Sequence, residues 1–263
     1  MNSFIGKSSR CFVFYSLINS TKPRLKIALL HFLFSVVLLC IALFLVFKLW
    51  YPYPLNIAMG VNNIYVLLLI VDLIIGPLLT FIVYKENKRK LRFDLIIILI
   101  LQLSAYTFGL YIVAQGRPLW QVFVVDDIEL VSPIDINTPI AGLNEHKLKG
   151  SFFSSPLWVS AVYSEDPEIR KSQKEDEMFE GVSLATRPET YHLLNYRRRY
   201  IVAKLKTIGE LKKFNSENNI RSVLQSYNGI YGWLPVKAFN VDMVALFNSD
   251  GEPIAIVNLR PWL

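Results

Sequence analysis

The chain has 263 residues, 53% of them hydrophobic, and a net charge of +7, with a mean hydropathy of +0.36; soluble globular domains rarely average so apolar. Residues 1–114 carry 11 Lys+Arg against Asp72, Glu86 and Asp94, giving +8, whereas residues 115–263 carry 17 Lys+Arg against 18 acidic residues, giving −1. The basic excess thus belongs to the apolar half, where it orients membrane spans, and the electrostatic case for nucleic-acid binding falls away.

In chain order, residues 1–26 read as a basic cytoplasmic tail with Lys7, Arg10, Lys22, Arg24 and Lys26. Residues 27–48 read as a first transmembrane helix. Its uncharged core is longer than the apolar region of a signal peptide, and bulky Lys48-Leu-Trp-Tyr-Pro-Tyr-Pro54 follows where a small-residue cleavage site would stand, so a retained signal anchor is expected. His31 and Ser35, one turn apart, read as helix-contact residues. Cys40 reads as a small apolar core residue. With Cys11 it completes the chain's cysteines, so residues 115–263 hold neither a disulfide nor a Cys metal site.

Residues 49–60 form an uncharged loop outside the membrane, made extended by Pro52 and Pro54. Trp50, Tyr51 and Tyr53 are its expected anchors at the membrane–water interface. Residues 61–84 and 93–114 read as the second and third spans. Val61–Tyr84 holds one formal charge and Leu95–Ala114 none, and at ~1.5 Å per residue each matches the roughly 30 Å of a bilayer core. Between them, the link 85–92 carries Lys85, Lys88, Arg89, Lys90 and Arg92, which fix the topology: by the positive-inside rule the N-terminus and this link are cytoplasmic, and residues 115–263 lie outside, in a bacterium the periplasm.

Span two holds the most informative residues. Asp72 costs about 2.5–3.5 kcal/mol to insert, each Leu, Ile, Phe or Val returns about 0.3–0.6, and the surrounding apolar residues outweigh it. The carboxyl still needs a partner or a proton. Counting depth from the outer ends of the helices points to Gln102 in span three. Pro77 has no N–H for the carbonyl of Leu73, so a bend is expected near Asp72, and Gly76 lets a neighbouring helix approach there. Gln102, Tyr106 and Gly109 recur at helical spacing and are expected to pack on span two. Two readings stand: a polar clamp that fixes the packing of three helices, or a docking notch for a helix of another protein, with Asp72, Gly76, Pro77, Gln102 and Tyr106 as its residues.

Beyond the membrane, Gly116–Val125 leads into a β-like run with Arg117 at the exit, followed by the acidic Asp126, Asp127 and Glu129. Residues 132–156 read as loop, 156–163 as a buried strand, and 165–180 as a solvated helix or loop. Thr207 and Glu210 have capping-box spacing at the start of a helix, and a second short helix is expected over 220–227. Val241–Phe247 and Pro253–Leu259 flank Asn248-Ser-Asp-Gly-Glu252 as a hairpin. Residues 115–263 are thus expected to form a small periplasmic α+β domain, and the fold class is a membrane protein with three transmembrane α-helices followed by that domain. No catalytic constellation emerges: His146 and His192 stand isolated, the acidic run lacks the glycine and terminal glutamate of a Ca²⁺ loop, and Tyr196-Arg-Arg-Arg-Tyr200 reads first as a solvated turn or strand edge.

The order of these features resembles the TfpX/TfpZ family of type IV pilin accessory proteins. The resemblance rests on Trp50-Tyr-Pro-Tyr-Pro54, Asp72 with Gly76-Pro77-Leu-Leu-Thr80, Phe93-Asp94-Leu95, Gln102, Arg117-Pro118, Phe123 through Asp126, and the terminal Pro261-Trp262. It covers roughly 50–130 and the extreme C-terminus; the tail before the first span is longer than the family leads one to expect. What it implies is an inner-membrane protein that acts with a type IV pilin and the pilus assembly machinery, influences pilus extension and retraction, and has no enzymatic activity and no cofactor. The partners expected are therefore a pilin and the lipid bilayer. A periplasmic sensor is disfavoured because so little of the chain is cytoplasmic. A pilin-modifying transferase would have to rely on Asp126 and Asp127.

Overall fold

The computed structural model describes residues 5–85, 89–136, 148 and 150–262, without the side chains of 5–21, 63, 64, 67 and 68. The chain divides into two compact units, one of residues 1–43 and 63–112, the other of residues 44–62 and 113–263.

The first unit is helical: α1 (Ile5–Phe44), α3 (Val61–Val83) and α4 (Leu91–Gln115). Among the described residues two helices are long and apolar enough to cross a membrane, Lys22–Trp50 and Leu91–Gln115, while the described apolar stretch of α3 is the shorter Leu69–Val83. The tail read as preceding the first span is helical from Ile5 and runs through Pro23 into that span. Large aliphatic residues such as Leu30, Ile41, Ile74 and Leu101 are exposed, while Ser35 and Thr80 are buried. Cys40 is exposed and not a core residue, because its position falls on the outward face of α1. Cys11 lies outside the described side chains.

The second unit is built on a seven-stranded sheet of order β4-β3-β1-β2-β5-β6-β7. Its strands are β1 (Trp120–Val124), β2 (Asp127–Val131), β3 (Leu157–Ala161), β4 (Tyr191–Leu193), β5 (Gly232–Lys237), β6 (Met243–Phe247) and β7 (Pro253–Val257). β1–β3 and β2–β5 pair in parallel and the other neighbours antiparallel. Alternate residues serve opposite faces, as a pleated strand requires. Met243, Ala245 and Phe247 join one buried cluster with Phe123, Ile128 and Leu234, and Val244 and Leu246 join another with Trp233 and Leu211. Helices α5 (Pro167–Glu175), α6 (Arg198–Lys204) and α7 (Glu217–Leu224) complete the unit, which is the α+β arrangement expected.

Several local expectations are met here. β3 fills the buried run at 156–163, Asp166 caps α5 within the charged stretch, and Thr207 and Glu210 form their capping box over a 3-10 turn, Ile208–Lys213. The β6–β7 hairpin turns through Gly251 at φ +74°, a conformation side chains resist, while Asn248 Oδ1 accepts from the Asp250 and Glu252 N–H groups. In the acidic run, to which the sequence assigns no element, Asp127 and Glu129 lie within β2.

The clearest correction concerns residues 49–60. This loop is not extended: Leu45–Trp50 continues the end of α1 as a wider π-type turn, and α2 (Leu55–Ala58) is a short helix. The prolines do not prevent it, because Pro54 stands at the N-terminal boundary of α2, where a missing N–H costs nothing. Leu55 and Ala58 are part of the sheet unit's core, beside Phe123, Ile128 and Met243, so the loop belongs structurally to that unit.

Candidate functional site

In the helical unit, polar side chains from α1, α3 and α4 converge. Gln102 Nε2 donates to Ser35 Oγ at 2.8 Å, and Ser35 Oγ donates to the His31 carbonyl at 3.1 Å. Gln102 Oε1 is thereby left facing His31 Nε2 at 2.5 Å. An amide oxygen only accepts, so Nε2 donates to it, and in the neutral ring Nδ1 is then the acceptor for the Thr80 hydroxyl at 2.6 Å. Each donor in this chain has an acceptor, and the tautomer of His31 follows from its neighbours. Tyr106 Oη adds a bond to the Leu38 carbonyl at 2.9 Å. Such bonds between helices are the ordinary adhesive where lipid removes any hydrophobic drive to associate.

Gly76 makes the arrangement sterically feasible. A Cβ at that position would stand 2.0 Å from Gln102 Oε1, so any other residue displaces Gln102 from His31. Pro77 is the next residue on α3, buried, with no N–H to return to Leu73.

Asp72 stands apart from this network. Gln102 reaches its backbone carbonyl at 3.5 Å, not its carboxylate, so the expected pairing is met through the main chain only. Asp72 Oδ2 is buried and has no hydrogen-bond partner among the described residues. A narrow cavity of about 10 Å³ lies between Ser35, Leu38, Leu69, Asp72, Gln102 and Tyr106, room for roughly one water. The Gln102–Tyr106 stripe was expected to face span two; it meets α1 at least as much, through His31, Ser35 and Leu38.

His31 as the hub is what sequence reasoning missed. The depth count that paired Asp72 with Gln102 also carried the signal: His31 lies four residues inside Ile27, and Thr80 four inside Tyr84, at the same end of their spans. Polar groups in apolar helices have only each other as partners, so equal depth is a usable restraint.

In the sheet unit, Trp50 and Tyr51 are buried and Tyr53 is exposed. Trp50 Nε1 donates to the Phe152 carbonyl at 2.7 Å, and Tyr51 Oη donates to the Val113 carbonyl at 2.8 Å. Two of the three expected anchors thus face protein. Arg117 is also buried, its guanidinium 5.5 Å from the Trp50 ring and 5.8 Å from Phe152, with Nη2 donating to the Ser151 carbonyl at 3.1 Å. Burial lowers the Arg117 guanidinium below its ordinary pKa and raises the Tyr51 phenol. Asp126 is exposed in the two-residue turn between β1 and β2, at the opposite end of β1 from Arg117, so the structure does not bring these two together.

Asp127 lies 2.5 Å from Lys237 Nζ, and Glu129 accepts from the Ser183 hydroxyl at 2.8 Å; both carboxylates serve the sheet. In the Tyr196–Tyr200 stretch Arg197 stacks on Tyr200 at 4.1 Å, and Arg198 pairs with Glu252 at 2.9 Å. Those cations sit in helical turns, not on a strand edge. His192 is exposed and stacked on Tyr196, and His146 lies outside the described residues. Lys85, Arg89 and Lys90 are exposed around the α3–α4 link, Arg92 is at the start of α4, and Lys88 lies outside the described residues.

The family described as fimbrial assembly protein FimB matches residues 19–60. The fimbrial assembly protein of Dichelobacter nodosus serogroups C1 and C2 is 37% identical over 113 residues, 42% of this chain and 86% of the relative. Those of serogroups I and E1 are 37% and 38% identical over 113 residues and are matched over 44% of their length, so the chain spans less than half of each. No solved structure matches. A relative of this identity matched over most of its length establishes the kinship, and the chain belongs to the fimbrial assembly protein family.

Proposed function

We propose that this protein is an inner-membrane accessory factor of type IV pilus biogenesis that binds a pilin and does no chemistry of its own. In this reading α1, α3 and α4 all span the membrane, the N-terminus and the link 85–92 are cytoplasmic, and residues 115–263 are periplasmic. A pilin awaiting assembly is a helix in the membrane with a head outside it, and a helical anchor that carries a folded outer unit offers a surface to each part. Membership of a fimbrial assembly family supports the pilus role, and the basic residues around the link support the orientation.

The observation that carries the docking role is the contrast between Asp72 and its neighbours. His31, Ser35, Thr80 and Gln102 satisfy one another, whereas Asp72 keeps a buried oxygen without a partner among the described residues. A carboxyl oxygen left so among apolar helices is costly and retained for a use. Asp72 as a whole is half-buried, so a helix arriving at this face meets part of it and can bring the missing donor. Gly76 and Pro77 lie one turn further along. The test is photo-crosslinking in the membrane from Leu73 and Leu78: capture of the major pilin is expected, and efficient crosslinks that never contain pilin would refute the assignment.

A further inference from the structure

We infer that the sheet unit rests on the bilayer through two aromatic turns, Ser151–Ser154 and Ala238–Asn240, whose phenylalanines enter the boundary between lipid headgroups and acyl chains. The inference rests on the membrane-spanning reading above but concerns residues to which that reading gives no role.

Three facts within the sheet unit lead to it. First, this unit contains the chain segments where the helices end: Leu45–Trp50 finishes the first candidate span, Gly116 follows the last, and Gly60 immediately precedes α3. The membrane boundary is therefore located on this unit by covalent continuity alone.

Second, both turns are bonded to those segments. The Phe152 carbonyl accepts from Trp50 Nε1 at 2.7 Å, the two rings meet edge to face at 4.9 Å, and Arg117 holds the Ser151 carbonyl. On the other side, the Asn240 and Val241 N–H groups donate to the Ala58 carbonyl at 2.8 and 3.1 Å, and Asn240 Nδ2 donates to the Ile57 carbonyl. Gly60, at φ +71°, admits Asn240 so closely that a Cβ would stand 3.1 Å from it.

Third, these turns carry phenylalanine where a turn in water carries polar residues. Phe239 is 88% exposed, Phe153 67% and Phe152 46%. A single exposed aromatic is unremarkable, but three in two turns, each fastened beside a helix end, fit an interface that favours aromatic rings. Trp50, expected to serve there, is instead a buried support that holds one of the turns in place, and Tyr51 is buried with its hydroxyl on the Val113 carbonyl.

The test uses the full chain in lipid vesicles, with Cys11 and Cys40 replaced by serine and single nitroxide labels at Phe153→Cys and Phe239→Cys. Ile100→Cys on α4 is the reference for the membrane interior. Tyr231→Cys is the aqueous reference, since Tyr231 precedes β5 and Phe239 follows it, roughly 20 Å apart along that strand. The ratio of collisions with oxygen to collisions with a water-soluble nickel chelate is expected to be severalfold higher at 153 and 239 than at 231. Ratios at 153 and 239 equal to that at 231, with 100 still shielded from nickel, would overturn the inference and leave the spans standing. Immobilised labels shielded from both reagents would also overturn it, in favour of a protein contact. Nickel access at 100 would overturn the spanning reading itself.

Discussion

The two units use the same apolar residues in opposite senses. In the sheet unit Leu234, Leu246, Val244 and Phe247 are inside, and the charged side chains of α5 and of Lys212 and Glu217 are outside. In the helical unit Leu30, Ile74, Ile100 and Leu101 are outside, and Ser35, Thr80 and Gly109 are inside. The sheet unit is held by removing apolar area from water. The helical unit gains nothing that way if its surroundings are lipid, so its cohesion falls to close packing at Gly76 and to the His31–Gln102 network.

Equal truncations should therefore have unequal effects. Leu246→Ala is expected to cost about 2–5 kcal/mol in denaturant unfolding of the sheet unit, whereas Leu101→Ala, 63% exposed, should stay within about 0.5 kcal/mol in lipid. Equal costs would break the contrast. Glycine makes the next comparison: Gly76→Ala displaces Gln102 and should cost about 1–3 kcal/mol through unpaired polar groups, while Gly209→Ala, with nothing within 4 Å of the added Cβ, should be near neutral by the same thermal melt. Gln102→Leu removes the side chain that meets both His31 and Ser35 without overfilling the site, and a smaller loss of about 0.6–1.7 kcal/mol is expected.

The smallest expected effect is a pH slope confined to the sheet unit. Burial pushes the Glu129 carboxyl above its ordinary range, opposed by the Ser183 hydroxyl. A carboxyl raised in the folded state keeps a proton that the unfolded chain has released, so stability falls as pH rises from the ordinary glutamate value through the raised one. Glu129→Gln should flatten that slope when melting is followed by tryptophan fluorescence from the ordinary glutamate range upward.

Features written locally were legible in the sequence. The apolar runs became helices, the Thr207–Glu210 spacing became a capping box, and the turn at 248–252 became a hairpin. What failed depends on distant partners. β2 reads only as an acidic run with no assigned element until Lys237 and Ser183 are seen against Asp127 and Glu129. β5 is masked by Pro235, which lacks an N–H; the strand tolerates it because the ladder to β2 begins only at Val236. The loop 49–60 looks like a membrane-surface segment because nothing local reveals that Leu55 and Ala58 complete a core built mainly from residues beyond 120. At the polar site, Asp72, Gly76 and Gln102 were legible as rule-breaking residues in apolar runs, but which of them are satisfied and which is not required the pairing itself.

That division of labour, with the paired residues holding the helices and Asp72 kept for a partner, is tested most directly by comparing Asp72→Leu with Gln102→Leu in cells at matched protein levels. Asp72→Leu is expected to melt no lower than the parent protein while co-purification of pilin is lost. Retained pilin with Asp72→Leu, or a loss of stability as large as that of Gln102→Leu, would contradict it.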